Sequence, residues 1–481
     1  MYSKTWFDEF ALRMNSKSHI VEEFIDTSVK LLSELGVKAA HHGFLSRISK
    51  GDGFSVKGER VFFDGKYLRK LIEERRGQAL ARPEEQNGFV PSKEFSMAIG
   101  GYSFNTIDAT GKQRPSTLSD LIELTKLGEV CKCSGPNPVF PQDIPMPMRD
   151  LAGYRYCFEY SSKIYGRFHF TNIKQGEYAY RITKAAGLKF NAHVCFQDAL
   201  TINPEDLDKL LYFLDKNDKD VLPSCIAYHL PGITGPITPM GCNVLAYAEN
   251  LAARIIFKHL RPDVDITHLP GSAGPANLKN LCWALGSSPS YTYYSMASLF
   301  RTMFNEEIMQ FPSAVPLMTG SAAIDAQAIT EKACMALAGA LGGAKSFSNL
   351  GNLACDDINS VEQFVIDLDI IEFVKNHISS IGMLDDMLSL GSAYDTIKAN
   401  VVDRIDFLMT DETLGDFKKF IKEEYLFDYK KAQQWEKESR NLICRASERA
   451  RDLIRKHDYV CDQDRLKEID NIYRKAEKEL C

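Results

Sequence analysis

Eight short apolar runs recur between residues 136 and 351, and each of the first seven is followed by a segment with a helix-like pattern. Eight strands that alternate with helices are the number needed to close a (β/α)8 barrel. The spacing therefore predicts an α/β fold built on a (β/α)8 TIM barrel. The runs are PNPVFPQ (136–142), IYGRFHF (164–170), KFNAHVCF (189–196), VLPSCIAYH (221–229), VDITHL (264–269), SPSYTYY (288–294), AVPLMTG (314–320) and AKSFSNLG (344–351).

The chain extends beyond this predicted barrel on both sides. Residues 1–115 combine a helical pattern with a glycine-punctuated stretch typical of a hairpin, which predicts an N-terminal α/β extension. Residues 116–357 form the predicted barrel core, and its first helix should be capped by Thr117 or Ser116. Residues 358–481 have a helical pattern again, and residues 415–481 carry opposite charges four residues apart, which predicts C-terminal helices packed on the barrel or on a partner subunit.

Composition limits the partners that we expect. A net charge of −6 argues against nucleic acid and anionic membranes, because both bind basic surfaces. No run of 18 apolar residues predicts a membrane span, and the charged N-terminus lacks the apolar core of a signal peptide. We therefore expect a cytoplasmic protein whose twelve cysteines are reduced, mostly as small buried side chains.

Histidines and tyrosines gather where the predicted strands end, which is where barrel enzymes carry their active sites. Aromatic faces there would bind a quaternary ammonium ion by cation–π attraction, at about 0.5–2 kcal/mol per contact. The histidines are alternative metal ligands, although metal-binding barrel hydrolases usually carry an HxH pair and this chain has only FHF. We therefore predict no tightly bound metal. The residues are His169, His193, His229, His268, Tyr228, Tyr291, Tyr293 and Tyr294.

Two loops and one helix start add to this predicted mouth. PGITGPITPMG (231–241) and PGSAGPANLKN (270–280) are rigid turns, or anion sites formed by backbone N–H groups at the next helix start. Asp325, Gln327 and Glu331 begin the helix after the seventh run. Carboxylates there favour the helix dipole, and they could also hold a cationic substrate or a histidine.

Several segments resemble the trimethylamine methyltransferase (MttB) superfamily, in its larger branch without pyrrolysine, which includes glycine betaine methyltransferase. Their order along the chain is the stronger part of the resemblance. The segments are TGKQRPSTLSDL, LPGITGPITPMG followed by NVLAYAENLA, DAQAITEK, SFSNLGNL and WEKESRNLICRASERA.

The resemblance implies a (β/α)8 barrel and a reaction. Members of the family move a methyl group from a methylamine or quaternary amine to the cobalt of a corrinoid protein or of free cob(I)alamin. Such transfers belong to one-carbon metabolism and methanogenesis. The cobalamin or other corrinoid would be a methyl acceptor carried by a partner protein, not a tightly bound cofactor, and we expect a homo-oligomer. Gly100, Gly101 and Tyr102 match a glycine-rich loop beside the site, and Asp325, Gln327 and Glu331 match mouth positions.

Two segments depart from the family pattern. A histidine-containing GHFL…HT stretch is replaced by RIDFLMTDETL, with Asp406 and Glu412 in place of the histidines. An Asn-Pro-x-Ser-Pro-Leu pattern is replaced by FQDALTINPEDL (196–207). Both changes could alter the substrate or mark a diverged activity. The sequence shows no non-standard residue, which argues against trimethylamine itself.

The chemistry of a quaternary amine fits this residue set. Its nitrogen has no lone pair for an acid or a metal, and its leaving group is a neutral tertiary amine, so the protein contributes positioning and desolvation. The predicted catalytic residues are His193, His229, Asp325 and Glu331. The predicted substrate-binding residues are Tyr102, Phe104, His169, Tyr228, His268, Tyr291, Tyr293, Gln327 and Asn349. The alternatives are a metal-dependent barrel hydrolase that uses the strand-end histidines, and a diverged non-catalytic protein that binds quaternary amines.

Overall fold

Helices and several β-sheets combine in a mixed α/β fold, seen in a computed structural model of the chain. The structure describes residues 19–49, 51–80, 94–165, 170–264, 271–273, 276–284, 286–287, 314–341, 344–381, 390–391, 393–420, 426–427, 429–438 and 441–481. No helix in these ranges is long and apolar enough to cross a membrane.

The N-terminal part contains the predicted helix and hairpin. Helix α1 (His19–Lys30) continues into a π-helical turn at Leu31–Leu35, and Gly36 follows with φ 64°. A β-carbon on Gly36 would lie 2.5 Å from the carbonyl oxygen of Val61, so glycine is required by both conformation and space. The remaining elements are β1 (Val37–Lys38), α2 (His42–Arg47), the antiparallel pair β2 (Phe54–Lys57) and β3 (Arg60–Phe63), and α3 (Gly65–Leu80).

A first set of parallel strands, which we call the first arc, combines one strand of the predicted N-terminal extension with strands from the end of the predicted barrel. Strand β4 (Ser96–Ile99) pairs with β14 (Ser346–Leu350), which pairs in turn with β13 (Ala314–Pro316). Isolated parallel bridges extend this arc from Ala98 to Ser134 and from Gly135 to Ile164.

A second set of parallel strands, the second arc, comes from the middle of the chain. Strand β7 (Phe190–Asp198) pairs with β9 (Val221–His229), and β9 pairs with β10 (Gly271–Ala273). The short strand β8 (Thr201–Ile202) turns back along β7 and joins this arc to β1.

Helices separate the strands of both arcs along the chain. Helix α4 (Leu118–Val130) begins at the predicted cap, because the Thr117 side chain accepts from the Asp120 N–H while Asp120 accepts from the Thr117 N–H. The other helices of this group are α5 (Arg149–Tyr160), α6 (Ile173–Ala185), α7 (Pro204–Leu214), α8 (Pro239–Leu260), α9 (Ala326–Leu341) and α10 (Val361–Ile381).

Buried and half-buried residues alternate along β7 and β9, which shows which face of each strand packs against the helices. Phe190, Ala192, Val194 and Phe196 are buried in the core shared with the helices, whereas the residues between them are half-buried on the opposite face, which we call the inner face because it points away from the helices. The same period on β9 turns its odd-numbered residues, including His229, toward the helices.

The C-terminal helices pack on the strand–helix body. Helix α14 (Leu442–Arg455) packs against α10 and α4, and α15 (Gln463–Leu480) packs against α6 and α5. The elements that complete the described fold are β5 (Asn105–Ile107), β6 (Gln113–Pro115), β11 (Ala276–Asn277), β12 (Cys282–Trp283), β15 (Asn352–Leu353), β16 (Ile358–Asn359), α11 (Ala393–Asp403), α12 (Asp411–Phe420), α13 (Ala432–Glu438), and 3-10 turns at Met146–Met148 and Phe407–Met409.

Some predicted strands are not formed or lie outside the described residues. Residues 136–142 form no regular strand, because Pro136, Pro138 and Pro141 lack N–H donors and have restricted φ. Their place in the first arc is taken by Ser134 and by β4. The run 288–294 and residues 265–269 of the run 264–269 lie outside the described residues. The run 164–170 shows a bridge at Ile164, and its residues 166–169 also lie outside the described residues. The parallel strands within the described residues form two arcs without a closed ring.

Candidate active site

Left-handed backbone at non-glycine residues gathers where the strands of the first arc end. Tyr102 has φ 71° just after β4, and Asn349, the next-to-last residue of β14, has φ 62°. Ala354 and Cys355 follow with φ 47° and 64°. Such conformations persist only where surrounding contacts enforce them, and they cluster at functional sites. This carboxyl edge of the first arc is therefore the candidate site.

Three aromatic rings stack along this edge. The Phe140 ring lies between those of Tyr102 and Phe104, with both pairs of ring centroids 5.5 Å apart. Phe140 is buried, whereas Phe104 is 50% exposed. Backbone hydrogen bonds from Tyr102 N–H to the Asn137 carbonyl and from Phe140 N–H to the Ser103 carbonyl hold the two loops together. We call Tyr102, Phe140 and Phe104 the aromatic stack.

Two glycines make the approach of these loops possible. A β-carbon on Gly100 would lie 1.7 Å from Oδ1 of Asn352, and one on Gly101 would lie 2.3 Å from Pro136. Any other residue would push the loop away, which explains the glycine pair before Tyr102.

A carboxylate is fixed at the end of β13. Oε2 of Glu331 accepts from the Thr319 hydroxyl at 2.6 Å and from the Gly320 N–H at 2.9 Å, and Oε1 accepts from the Gln327 amide at 3.0 Å. Both oxygens are thus engaged, and the side chain is half-buried. A β-carbon on Gly286 would lie 2.8 Å from Oε2, so the chain approaches this carboxylate closely from a second side.

Asp325 caps the helix that carries Glu331. Its Oδ1 accepts from the Ala328 N–H at 2.9 Å and its Oδ2 accepts from the Ser321 hydroxyl at 3.0 Å. These bonds satisfy a free donor at the start of α9 and order the preceding turn.

Loop contacts join the carboxylate to the aromatic stack. The Cys355 N–H donates to the Thr319 carbonyl at 2.7 Å, and the Ser103 hydroxyl donates to the Asp356 carbonyl at 2.6 Å. Burial raises the pKa of the Asp356 carboxyl, with a further increase from the neighbouring charge of Asp357. The stack and Glu331 therefore lie on contiguous loops.

Asn349 marks an irregularity at the same edge. The pairing of β14 with β4 shifts register between Phe347 and Leu350, so Asn349 lies in a bulge. Its side chain is half-buried, and its Oδ1 accepts from the Ser348 hydroxyl at 3.0 Å.

The two histidines of the second arc face opposite ways. His193 is half-buried on the inner face of β7, where Nδ1 lies 3.1 Å from the Ser224 hydroxyl of β9. His229 is fully buried on the helix side, and its Nε2 lies 2.6 Å from Oε2 of Glu249 in α8. The structure thus brings His193, but not His229, to the inner face.

Other predicted residues are not placed. His169, His268, Tyr291 and Tyr293 lie outside the described residues, as does the side chain of Tyr228 at the end of β9. Within the ranges that are described, no three His, Cys, Asp or Glu side chains are arranged to hold a metal ion.

The two residues that replace family histidines lie in the C-terminal helical region. Asp406 caps the 3-10 turn through a 3.0 Å bond to the Leu408 N–H, and Oε2 of Glu412 accepts from the Thr396 hydroxyl at 3.1 Å. Both are exposed, and their described contacts are local.

Two residues of the site, Phe140 and Thr319, and the buried partner of His229, Glu249, were not predicted from the sequence. Phe140 falls in a run interpreted as a strand, so its stacking role was hidden. Thr319 is the polar residue that ends the AVPLMTG run, and Glu249 is a lone acid in the apolar helix NVLAYAENLA. The last two were detectable, since a polar residue at a strand end and a buried acid both need a partner.

Parallel strands that alternate with helices, with aromatic and polar side chains gathered where the strands end, define the class of α/β proteins that bind small molecules at that edge. The chain belongs to the trimethylamine methyltransferase (MTTB) family, whose model matches residues 12–480. Membership of this family supports the general activity of a corrinoid-dependent methyltransferase, but it does not identify the methylated amine that serves as substrate.

A solved structure is similar over most of its length. It is the crystal structure of the Methanosarcina barkeri monomethylamine methyltransferase (MtmB), with a TM-score of 0.44 and 11% identity, covering 97% of this chain and 92% of that one. A likeness at this TM-score carries no argument about fold or substrate. No curated protein matches the chain.

Proposed function

We propose that this protein moves a methyl group from a betaine-like quaternary amine to the Co(I) of a corrinoid protein or of cob(I)alamin. The aromatic stack carries the proposal, because it offers ring faces and a half-exposed edge on loops that are linked by hydrogen bonds to the segment that holds the Glu331 carboxylate. A methylated ammonium ion binds well to aromatic faces, at about 0.5–2 kcal/mol per contact.

We also infer that the two arcs belong to one (β/α)8 barrel. Eight positions follow one another in chain order around it: β4, Ser134–Gly135, Ile164, β7, β9, β10, β13 and β14. Six of the eight junctions are paired. In this proposal the N-terminal extension (1–115) lends β4 to the core (116–357), and residues 358–481 remain the C-terminal helical region.

The reaction needs a strong nucleophile aligned behind a methyl carbon. The electron pair of Co(I) forms the new bond to carbon, while the electrons of the C–N bond leave with nitrogen as a neutral tertiary amine. No proton moves and no external oxidant or reductant enters. The protein's task is to hold the ammonium group, remove its water and expose one methyl group to the acceptor.

The described residues of the site would each contribute to one part of this task. Tyr102 and Phe104 would contact the cation, with Phe140 supporting both rings. Glu331 would supply a fixed counter-charge, oriented by Thr319 and Gln327. It accepts three hydrogen bonds, so it is suited to electrostatic attraction and not to proton transfer.

The other predicted residues receive narrower roles. His193, on the inner face, is a candidate partner for a substrate carboxylate, and Asn349 would contribute its amide at the edge. Asp325 and His229 are positioning residues, because their described contacts orient a helix start and two turns.

A panel of quaternary amines incubated with the purified protein and cob(I)alamin tests this function. We expect the methylcob(III)alamin spectrum to appear with at least one betaine and to stay absent with trimethylamine. Binding without transfer, with both cob(I)alamin and a corrinoid protein as acceptors, would favour the non-catalytic alternative. Stoichiometric zinc, with hydrolysis that is lost on chelation, would favour the metal hydrolase.

A further inference from the structure

We infer that His229 and Glu249 share a single proton and act as a tie that holds together the two turns after β7 and β9. Nε2 of His229 lies 2.6 Å from Oε2 of Glu249, and both side chains are 0% exposed. Neither residue reaches the inner face, so the tie acts by positioning.

Each end of the tie holds a different turn. Oε1 of Glu249 accepts from the Leu200 N–H at 2.8 Å, in the turn where Leu200 adopts φ 53° after β7. Nδ1 of His229 lies 3.2 Å from the Thr234 carbonyl, in the loop after β9. That loop is closed by hydrogen bonds from Thr234 and Gly235 N–H to the Leu230 carbonyl.

The geometry determines the number of protons. Both ring nitrogens of His229 face oxygens, and the Thr234 carbonyl can only accept, so Nδ1 must carry a proton. One further proton lies between Nε2 and Oε2, on either the ring or the carboxyl group. Both arrangements make the same hydrogen bonds and leave the pair with no net charge.

Losing the shared proton breaks the tie. A neutral ring has one N–H, so it can donate to the Glu249 carboxylate or to the Thr234 carbonyl, but not to both. The other nitrogen then presents a lone pair to an oxygen, and a buried negative charge remains. The loop at 230–235 should loosen as the pH rises through this loss.

Other titratable groups near the pair stay in one form around neutral pH. Cys225, on the same face of β9, interacts with Glu249, Cys195 and Arg254, and burial raises the pKa of its thiol far above neutral. Burial also raises the pKa of Cys195 to about 11 and that of Cys242 to about 12. Arg254 remains charged. Burial raises the pKa of the Glu249 carboxyl, in line with a pair that keeps its proton.

Amide hydrogen exchange measured by mass spectrometry tests the tie without any methyl transfer. Protection of residues 196–202 and 230–236 is followed from acidic to alkaline pH and corrected for intrinsic rates, with α15 as the reference for global opening. We expect wild-type protection of 230–236 to fall at least tenfold on the alkaline side while α15 stays protected.

The variant Glu249→Gln separates a proton tie from plain packing. The amide can accept from Leu200 N–H and donate to Nε2, and the neutral ring can donate from Nδ1, so every bond survives without a titratable proton. We expect the alkaline fall to disappear in this variant. Cys242→Ala is the matched control, because Cys242 packs against Gly235 of the same loop but does not titrate there. It should keep the alkaline fall.

Two results would overturn the inference. One is an alkaline fall in Glu249→Gln equal to that of the wild type. The other is full protection of both segments in Glu249→Leu, which removes every bond of the tie. If Glu249→Leu does not fold, the comparison of wild type with Glu249→Gln decides alone.

Discussion

Tertiary contacts hold Tyr102 in a backbone conformation that its own preference disfavours. Its φ of 71° is unfavourable for a bulky residue by about 1–2 kcal/mol, so the loop contacts and the stacking on Phe140 must hold it there. Local propensity disfavours this conformation, and no sequence pattern could have predicted it. The resemblance located the loop, but the structure shows how the ring is turned.

Variants of Tyr102 separate binding from strain. Tyr102→Ala should weaken binding of a betaine about tenfold, equivalent to 1–2 kcal/mol for one cation–π contact, whereas Tyr102→Phe should keep the affinity. Tyr102→Gly should lose the same affinity yet stay within about 1 kcal/mol of wild-type stability, because relief of strain offsets the lost stacking. Calorimetric titration and urea unfolding measure the two effects. Unchanged affinity in both truncations would place the cation elsewhere.

Glu331 carries the second residue-scale prediction. Glu331→Gln keeps the shape of the side chain but removes its charge, so binding of a cationic ligand should weaken about tenfold at low salt, roughly 1.4 kcal/mol. The difference from wild type should shrink as added salt screens the interaction. Titration with tetramethylammonium at two ionic strengths checks this. Equal affinities at low salt would show that the carboxylate does not face the cation.

At the scale of elements, the neighbouring residues Glu331 and Lys332 of α9 have different roles. Glu331 faces the site, whereas Lys332 is 0% exposed and its Nζ lies 2.6 Å from Oδ2 of Asp367 in α10. Asp367 also accepts from the Gly351 N–H and from the Gln363 amide, so the ion pair joins α9, α10 and the turn after β14. The sequence DAQAITEK favours a helix, but only tertiary packing determines that its lysine is buried.

Removing Lys332 should destabilise the fold in a pH-dependent way. Lys332→Met leaves a buried carboxylate without its cation, which costs about 3–5 kcal/mol at neutral pH. Burial raises the pKa of Asp367, and loss of the cation raises it further. Because the folded pKa then exceeds the unfolded one, stability of the variant is retained at acidic pH and falls as pH rises.

Urea unfolding at pH 5 and pH 8 measures this difference. The gap between wild type and Lys332→Met should be wider at pH 8. Lys70→Met, which breaks an exposed pair with Glu74 in α3, is the control and should have little effect at either pH. A gap that is equal at both pH values would contradict a buried charge on Asp367.

At the scale of the whole molecule, apolar runs predicted strands well where both faces are covered. The runs at 189–196, 221–229 and 344–351 correspond to β7, β9 and β14. Residues 88–108 were predicted to contain loop and strand in the N-terminal extension, but β4 was not counted among the barrel strands, because SMAI is short and follows a polar stretch.

The direction of His229 could not be predicted from the sequence. The period of two groups His229 with Val221, Cys225 and Ala227, but the residues between them are also small or apolar, so only the burial in the structure shows which set faces the helices. The shared proton and the left-handed Tyr102 depend on contacts between distant segments, and no local pattern encodes them.

Closure of the barrel is the prediction that belongs to this scale. The first arc ends at Ile164 and begins at β13, while the second runs from β7 to β10, so two junctions complete a ring of eight. We expect a crystal structure to show backbone hydrogen bonds from residues 164–170 to β7, and from β10 to β13.

The number of strands in the closed barrel depends on β4, because that strand already supplies the eighth position of the proposed ring. If the ring closes as proposed, residues 288–294 lie outside it, and the sequence-based count of eight contained two segments, 136–142 and 288–294, that are not barrel strands. A strand at 288–294 between β10 and β13 would instead make nine positions and would contradict the eight-position ring proposed here. A strand there would also place Tyr291 and Tyr293 on one face, because alternate residues of a strand point the same way, toward either the inner face or the helices.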